Sequence, residues 1–187
     1  MLNYTSPIKE NKNYADLVIK EIGPIKKLNL RGKKREFFST VGKILNIILP
    51  TEANTSSSSE KLTAIWLSPD EWMIFSNNIT EKDNNSHEIE EILYNNISKK
   101  SFGSVTDVTD QFVMINLNGG KIFELFLFGS PFDFSQFKKK KGSTTQTIIN
   151  HIDVIIHHKD TNNVNLFVRR SFSEHLWSWI NDCASRL

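Results

Sequence analysis

The stretch "FVRRSFSEHLWSWI", Phe167 to Ile180, is where the chain changes its period. Just before and into it, Val164, Leu166 and Val168 alternate with Asn165, Phe167 and Arg169, the two-residue repeat of a strand with one face in a core. After it begins, Ser171 and Glu174 have capping-box spacing, in which the Ser side chain bonds the N3 amide and the Glu reaches back. Phe172, Leu176, Trp179, Ile180 and Cys183 then recur at helical spacing and define one apolar face. On this reading Cys183 is a small core hydrophobe. Trp177 falls off the face and is exposed to a partner. A Ser171–His175 catalytic pair, one turn apart, is the sharper alternative. Capping accounts for Ser171 more simply, and no glycine-rich elbow or oxyanion motif surrounds it. The stretch therefore reads as a strand running into a helix.

Working back towards the N-terminus, "TIINHIDVIIHH" and "VNLFVRR" read as two strands joined by the polar turn Lys159 to Asn163. "KIFELFLFG" is a short apolar helix stopped by Gly129 and Pro131. "SVTDVTDQFVMINLN" reads as one long strand, bent at Asp107 to Asp110 and broken by Gly119-Gly120. From His87 to Lys100, Ile89, Ile92, Leu93 and Ile97 keep helical spacing, with acidic residues at the start and Lys99 and Lys100 at the end to match the helix dipole; Asn85 or Ser86 is the expected cap. "KLTAIWLS" and "EWMIFS" are strands joined by the turn Ser68-Pro69-Asp70, where Pro sets the φ of a turn position and Asp70 can bond its own backbone. The Ser-rich stretch Pro50 to Lys61 is expected to be a mobile loop, and Asn77 to Ser86 a tight connection into the helix. Residues 1–24 are expected to form a polar N-terminal arm. The remainder, 25–187, is expected to be a single α+β domain with two half-units meeting near 100–104. The fold class is α+β: antiparallel sheets with helices packed on one face, built from ferredoxin-like units.

Composition narrows the function. A chain of 187 residues can bury roughly 70% of its unfolded surface without disulfides, and its sole cysteine fits a reducing compartment. The first twenty residues lack the apolar core of a signal peptide, and no apolar run reaches the length of about 18 that a membrane span needs. The expectation is a cytoplasmic protein without a membrane partner. A net charge of +2 from 23 basic and 21 acidic residues gives no general pull towards nucleic acid.

Four local features remain. Lys138 to Lys141 follow Phe132, Phe134 and Phe137, the ingredients of a stacking nucleic-acid site, but in a chain of balanced charge a solvated loop over core phenylalanines is the better reading. His157-His158 are adjacent on a strand and face opposite ways, and with one cysteine no zinc spacing exists. Asp107 and Asp110 bracket a bend and are explained by turn chemistry. Arg169-Arg170 sit at a strand end, one pointing to the helix layer or a buried carboxylate and the other outward; a surface charge with its stem packed on the core and a fork bound to a carboxylate across an interface both fit. No GxGxxG or P-loop is present.

Four segments in order carry a further signal: "NIILP" (Asn46 to Pro50), "AIWLSPDEWMIF" (Ala64 to Phe75), "SVTDVTDQFVMINLNG" (Ser104 to Gly119) and the closing "FVRRSFSEHLWSWI". This pattern resembles the gamma subunit of heterotetrameric sarcosine oxidase, from about Leu28 to Ala184. The WLSPDEW and RSFSEHLWSW segments carry the specificity. The sequence departs from the family at Ser68, where glycine is usual, and in its lengthened Ser-rich loop, which the likeness places towards solvent. The resemblance implies the fold of the folate-binding domain of aminomethyltransferases. It implies a non-catalytic subunit that packs against the alpha subunit, alongside beta and delta subunits, in a complex that demethylates sarcosine to glycine and passes the one-carbon unit to tetrahydrofolate. FAD, FMN, NAD and zinc would then belong to the partner subunits. The alternative is a stand-alone folate-binding protein of the same superfamily, whose KGC(F/Y)xGQE signature has only "KGSTTQT", Lys141 to Thr147, as a counterpart here. Trp66, Trp72, Arg169, Arg170 and Trp177 are the residues expected at a partner interface.

Overall fold

The structure, a computed structural model, describes residues 5–8, 11–77 and 85–187, with side chains from 88 onward in the last segment. The chain divides into two compact units, Ile25–Thr109 and Met1–Pro24 with Asp110–Leu187. Each is an antiparallel sheet with helices on one face, the α+β class expected.

The Ile25–Thr109 unit contains β3 (Lys27–Gly32), α1 (Arg35–Leu45), β4 (Ser56–Ser58), β5 (Leu62–Ser68), β6 (Glu71–Ser76), α2 (Asn85–Leu93) and β7 (Gly103–Asp107). Its sheet runs β4-β5-β6-β3-β7. α2 continues as a π-helical turn over Tyr94–Ser98. Phe37, Val41 and Leu45 of α1, four residues apart, pack with Leu93 and Ile97 on Leu28, Leu30, Ala64, Trp72 and Ile74. The centre is aromatic: Phe37 and Phe38 lie 5.8 and 5.3 Å from Trp72. The indole Nε1 donates to the Pro50 carbonyl at 2.7 Å, so the buried ring satisfies its one polar atom.

The other unit contains β1 (Lys12–Tyr14), β2 (Leu17–Ile22), β8 (Phe112–Asn118), α3 (Ile122–Leu127), α4 (Phe134–Phe137), β9 (Thr144–Ile149), β10 (Ile152–Asp160), β11 (Asn163–Arg169) and α5 (Arg170–Ala184), with sheet order β1-β2-β8-β11-β10-β9. Ile115, Leu117, Val164, Leu166, Val154 and Ile156 alternate towards α3, α4 and α5 and meet Leu125, Phe126, Leu176 and Ile180. Five phenylalanines, Phe123, Phe126, Phe132, Phe134 and Phe137, belong to this core or pack on it, as expected for the phenylalanine-rich stretch.

Several expectations are corrected. Residues 12–22 of the polar N-terminal segment are no irregular arm: β1 and β2 extend the sheet, because Leu17, Ile19 and Ile22 are buried and β2 pairs antiparallel with β8. The serine run contributes β4, with Ser58 hydrogen-bonded to Thr63 at 2.9 Å across the pair. "SVTDVTDQFVMINLN" is two strands in two different sheets, since Asp107 Oδ1 accepts the Thr109 amide at 2.8 Å and turns the chain between them. "TIINHIDVIIHH" is a hairpin: Asn150 and His151 have φ of 48° and 63°, the pair of positive values of a tight hairpin turn. At Gly119 (φ 142°) an added Cβ would lie 2.0 Å from the Asp16 carbonyl oxygen, so this break requires glycine. The turn Ser68-Pro69-Asp70 forms as expected, but it is the Ser68 hydroxyl that bonds Asp70 Oδ1 at 2.9 Å. α2 starts at Asn85, but the side chains of Asn85 and Ser86 that the cap needs lie outside what is described, as do residues 78–84 of the connection.

Candidate functional site

The opening stretch folds as strand β11 into helix α5, but its face is rotated. Ser173, Leu176, Trp177, Ile180 and Ala184 are buried, whereas Phe172 is exposed and Trp179 and Cys183 are half-buried. The helix begins two residues earlier than the cap reading required: Arg169 is the cap position, without a side-chain cap bond, and Ser173 Oγ donates to the Arg170 carbonyl at 2.7 Å. Ser171 is exposed and forms no capping box. Trp177, only 8% exposed, is a core residue and not a partner surface. Trp72, at 1%, is likewise enclosed. Both are therefore corrected as interface candidates.

Trp66 is half-buried beside the Trp72 core, directly across from Trp72 in the β5–β6 pair. Arg169 is exposed at the end of β11, its guanidinium carbon 6.0 Å from the centre of the Phe112 ring. Arg170 donates from Nη2 to the Thr5 carbonyl and from its backbone amide to Gln111 at 2.9 Å. The two arginines thus have different tasks: Arg170 ties the start of α5 to preceding chain, and Arg169 stands at the surface.

Among the described residues no hydrogen bond joins Ser171 to His175; His175 Nε2 instead lies 3.4 Å from Asn150 Nδ2. Burial, then the neighbouring Asp182 charge, pushes the Cys183 thiol up, the opposite of an activated nucleophile. His157 and His158 are both 3% exposed and on opposite faces of β10. Burial first, then Lys159 and His158, lowers the His157 pKa to about 4, so its ring is neutral at neutral pH. His157 belongs to a buried polar row running Asn116, Asn165, His157, Thr144 across four strands, with Asn116 Nδ2 on Asn165 Oδ1 at 2.9 Å. His158 Nδ1 lies 3.0 Å from the Lys140 carbonyl and holds the lysine run as a tight turn over Phe123 and Phe137. Lys141 pairs with Asp160 at 2.8 Å. "KGSTTQT" falls on the entry to β9, with Gly142 at φ 80° and Ser143, Thr144 and Thr145 buried. No group of three or more His, Cys, Asp or Glu side chains among the described residues could hold a metal, so they do not fit zinc.

Asp107 has a partner that sequence did not show. Lys26 Nζ lies 2.7 Å from Asp107 and 2.5 Å from Glu90. Burial opposes the Lys26 charge, but the two carboxylates outweigh it and raise the pKa. Asp107 is desolvated too, yet bonds from Lys26 and Thr109 hold its carboxyl below the ordinary value. Lys26 lines an open cleft of about 760 Å³ whose walls include Leu28, Ile44, Leu62, Ile74 and Ile89. A shallower depression of about 360 Å³ in the other unit is lined by Phe112, Gln146, Ile148, Asp153 and Arg169. Exposed apolar side chains cluster in sequence at Leu127-Phe128, next to Gly129, where an added Cβ would come 2.5 Å from the Trp179 ring. Ile48 is 86% exposed between buried Ile47 and Leu49. No described helix is long and apolar enough to cross a membrane.

A family model described as sarcosine oxidase, gamma subunit family, matches residues 32–186. Among solved structures, the chain is similar to one of heterotetrameric sarcosine oxidase from Corynebacterium sp. U-96 in complex with pyrrole 2-carboxylate. The TM-score is 0.80 at 18% identity, over 91% of this chain and 84% of that one. It is also similar to glycine cleavage system aminomethyltransferase T from Bartonella henselae, with TM-score 0.58 at 12% identity, over 89% of this chain and 45% of the other. At these identities the likenesses establish the fold. No curated protein matches the chain.

Proposed function

The chain belongs to the sarcosine oxidase gamma subunit family, and from that premise we propose that it is the non-catalytic gamma subunit of a heterotetrameric complex that oxidatively demethylates sarcosine to glycine. The observation that carries the reading is the family match over 32–186. Its direct neighbour is the alpha subunit, with beta and delta subunits completing the assembly in the cytoplasm. FAD, FMN, NAD and zinc reside in those partners, and tetrahydrofolate accepts the one-carbon unit there. Each unit has a sheet with a filled core that holds its own surface side chains in place, so little ordering entropy is lost there on assembly. Of the residues expected at the interface, Trp66, Arg169 and Arg170 remain candidates, and exposed Phe128, Phe172 and Ile48 join them.

Co-expression of this chain with the alpha, beta and delta subunits tests the reading. A complex of one copy of each, by mass, with sarcosine-dependent formation of hydrogen peroxide is the expected result. Assembly and turnover by the other subunits while this chain stays apart would overturn it.

A further inference from the structure

We infer that the depression over Phe112 and Arg169 is a docking socket for a carboxylate side chain of the partner alpha subunit, an inference that rests on the subunit reading above. Four strands build the socket. Phe112 of β8 is cross-strand partner to Arg169 of β11, and Asp153 of β10 is cross-strand partner to Ile148 of β9. Asp153 and Arg169 are the next residues along their strands beyond the Val154–Val168 pair, so they stand opposite one another. All four side chains lie on the sheet face turned away from α3, α4 and α5, because Val113, Val168 and Val154 take the helix side.

The state of Arg169 selects the occupant. Its guanidinium carbon lies 6.0 Å from the centre of the Phe112 ring, a cation–π distance that leaves its N–H groups unoccupied. No Asp or Glu oxygen among the described residues comes within ion-pair distance of it, whereas Arg31, on β3, reaches Asp70 and Glu71. An exposed arginine without an ion-pair partner among the described residues, in a concave site of about 360 Å³, is complementary to an incoming anion. A planar carboxylate matches the two parallel N–H bonds that the fork offers. Ile148 and the Phe112 ring provide the apolar walls that exclude water around such a pair, the setting in which an interfacial charge contact governs dissociation rather than encounter. Asp153, opposite Arg169 in the same depression, opposes an incoming carboxylate, so the fork and the apolar walls must outweigh it.

The test is made on the co-expressed complex with Arg169→Met, which keeps the stem over Phe112 and removes the charge, Arg169→Lys, which keeps the charge and loses the fork, and Asp153→Asn. Thermal melting of each free chain serves as the folding control. The dissociation constant for this chain from the remaining subunits should rise at least tenfold for Arg169→Met, and Arg169→Lys should recover only part of the loss. Asp153→Asn should leave assembly unchanged or tighter. Unchanged affinity of Arg169→Met in a complex that the wild-type chain does form overturns the socket and leaves the subunit reading standing. Weakening by Asp153→Asn equal to that by Arg169→Met also overturns it, since the site would then be receiving a cation. Failure of the wild-type chain to assemble removes the subunit reading itself.

Discussion

Acidification should destabilise this protein through one buried ring, His157. The imidazole is 3% exposed on β10, with Asn165 Nδ2 3.4 Å from Nδ1. Protonation would place a charge in a site without solvent and beside the positive Lys159, and the pKa falls from 6.5 to about 4. The folded value lies below the unfolded one, so between them the unfolded chain holds a proton that the native chain does not. Stability from this group is therefore full above pH 6.5 and is lost as the pH falls towards 4. At roughly 1.4 kcal/mol per unit of pKa, the loss is about 3 kcal/mol, a large share of the ~5–15 kcal/mol that holds a typical domain. Urea unfolding followed by tryptophan fluorescence, at intervals between pH 7.5 and 4, measures it directly. His157→Gln keeps a polar side chain on the row but removes the proton site, so its stability should fall less steeply over the same range. Carboxylates titrate alike in both proteins and cancel in the difference. Parallel curves for wild type and variant would refute the reasoning, because the ring would then be free to protonate in the folded chain.

Trp177→Ala should cost about 3–5 kcal/mol and lower the melting temperature of the isolated chain, as for any large core truncation; an unchanged melting curve would return Trp177 to the surface. Trp72→Phe retains the aromatic cluster but orphans the Pro50 carbonyl, and a loss of about 1–3 kcal/mol in urea unfolding is expected. Gly119→Ala should prevent accumulation of folded protein or sharply lower its melting temperature, since the Asp16 carbonyl occupies the methyl position. The Asp107 carboxyl, held low once its bonds from Lys26 and Thr109 outweigh burial, stabilises the fold above the ordinary carboxylate range, and that contribution disappears as pH falls through the lowered value. Lys26→Met should flatten the acid limb of the stability curve by about 1 kcal/mol, the modest figure suited to a partly exposed pair.

Local pattern carried the reading furthest where period was strong and turns held glycine or proline. The β5–β6 hairpin with its Ser68-Pro69-Asp70 turn, the short apolar helix α3 and strand β11 all stand where alternation or helical spacing placed them. The hairpin at Asn150-His151 was hidden because its turn lacks glycine, and asparagine takes a positive φ without advertising it. Helix α1 is not marked in the sequence although Phe37, Val41 and Leu45 keep a four-residue step, because the charged run Lys33 to Glu36 spans its start. The rotation of α5 has a similar origin. Trp177 and Trp179 are equally apolar, and only packing against the β8–β11 face decides which is enclosed.

By itself, the sequence determined the α+β class, the family likeness and the expectation that chemistry resides in other subunits, because these depend on periodicity, composition and motif order. The tertiary structure alone decided which tryptophans are core, which arginine is tied down and which is uncompensated, and that Lys26 answers Asp107 from 81 residues away. Each of those outcomes depends on contacts between distant segments. Burial and charge compensation are properties of the space around a side chain, and the order of residues along the chain does not state them.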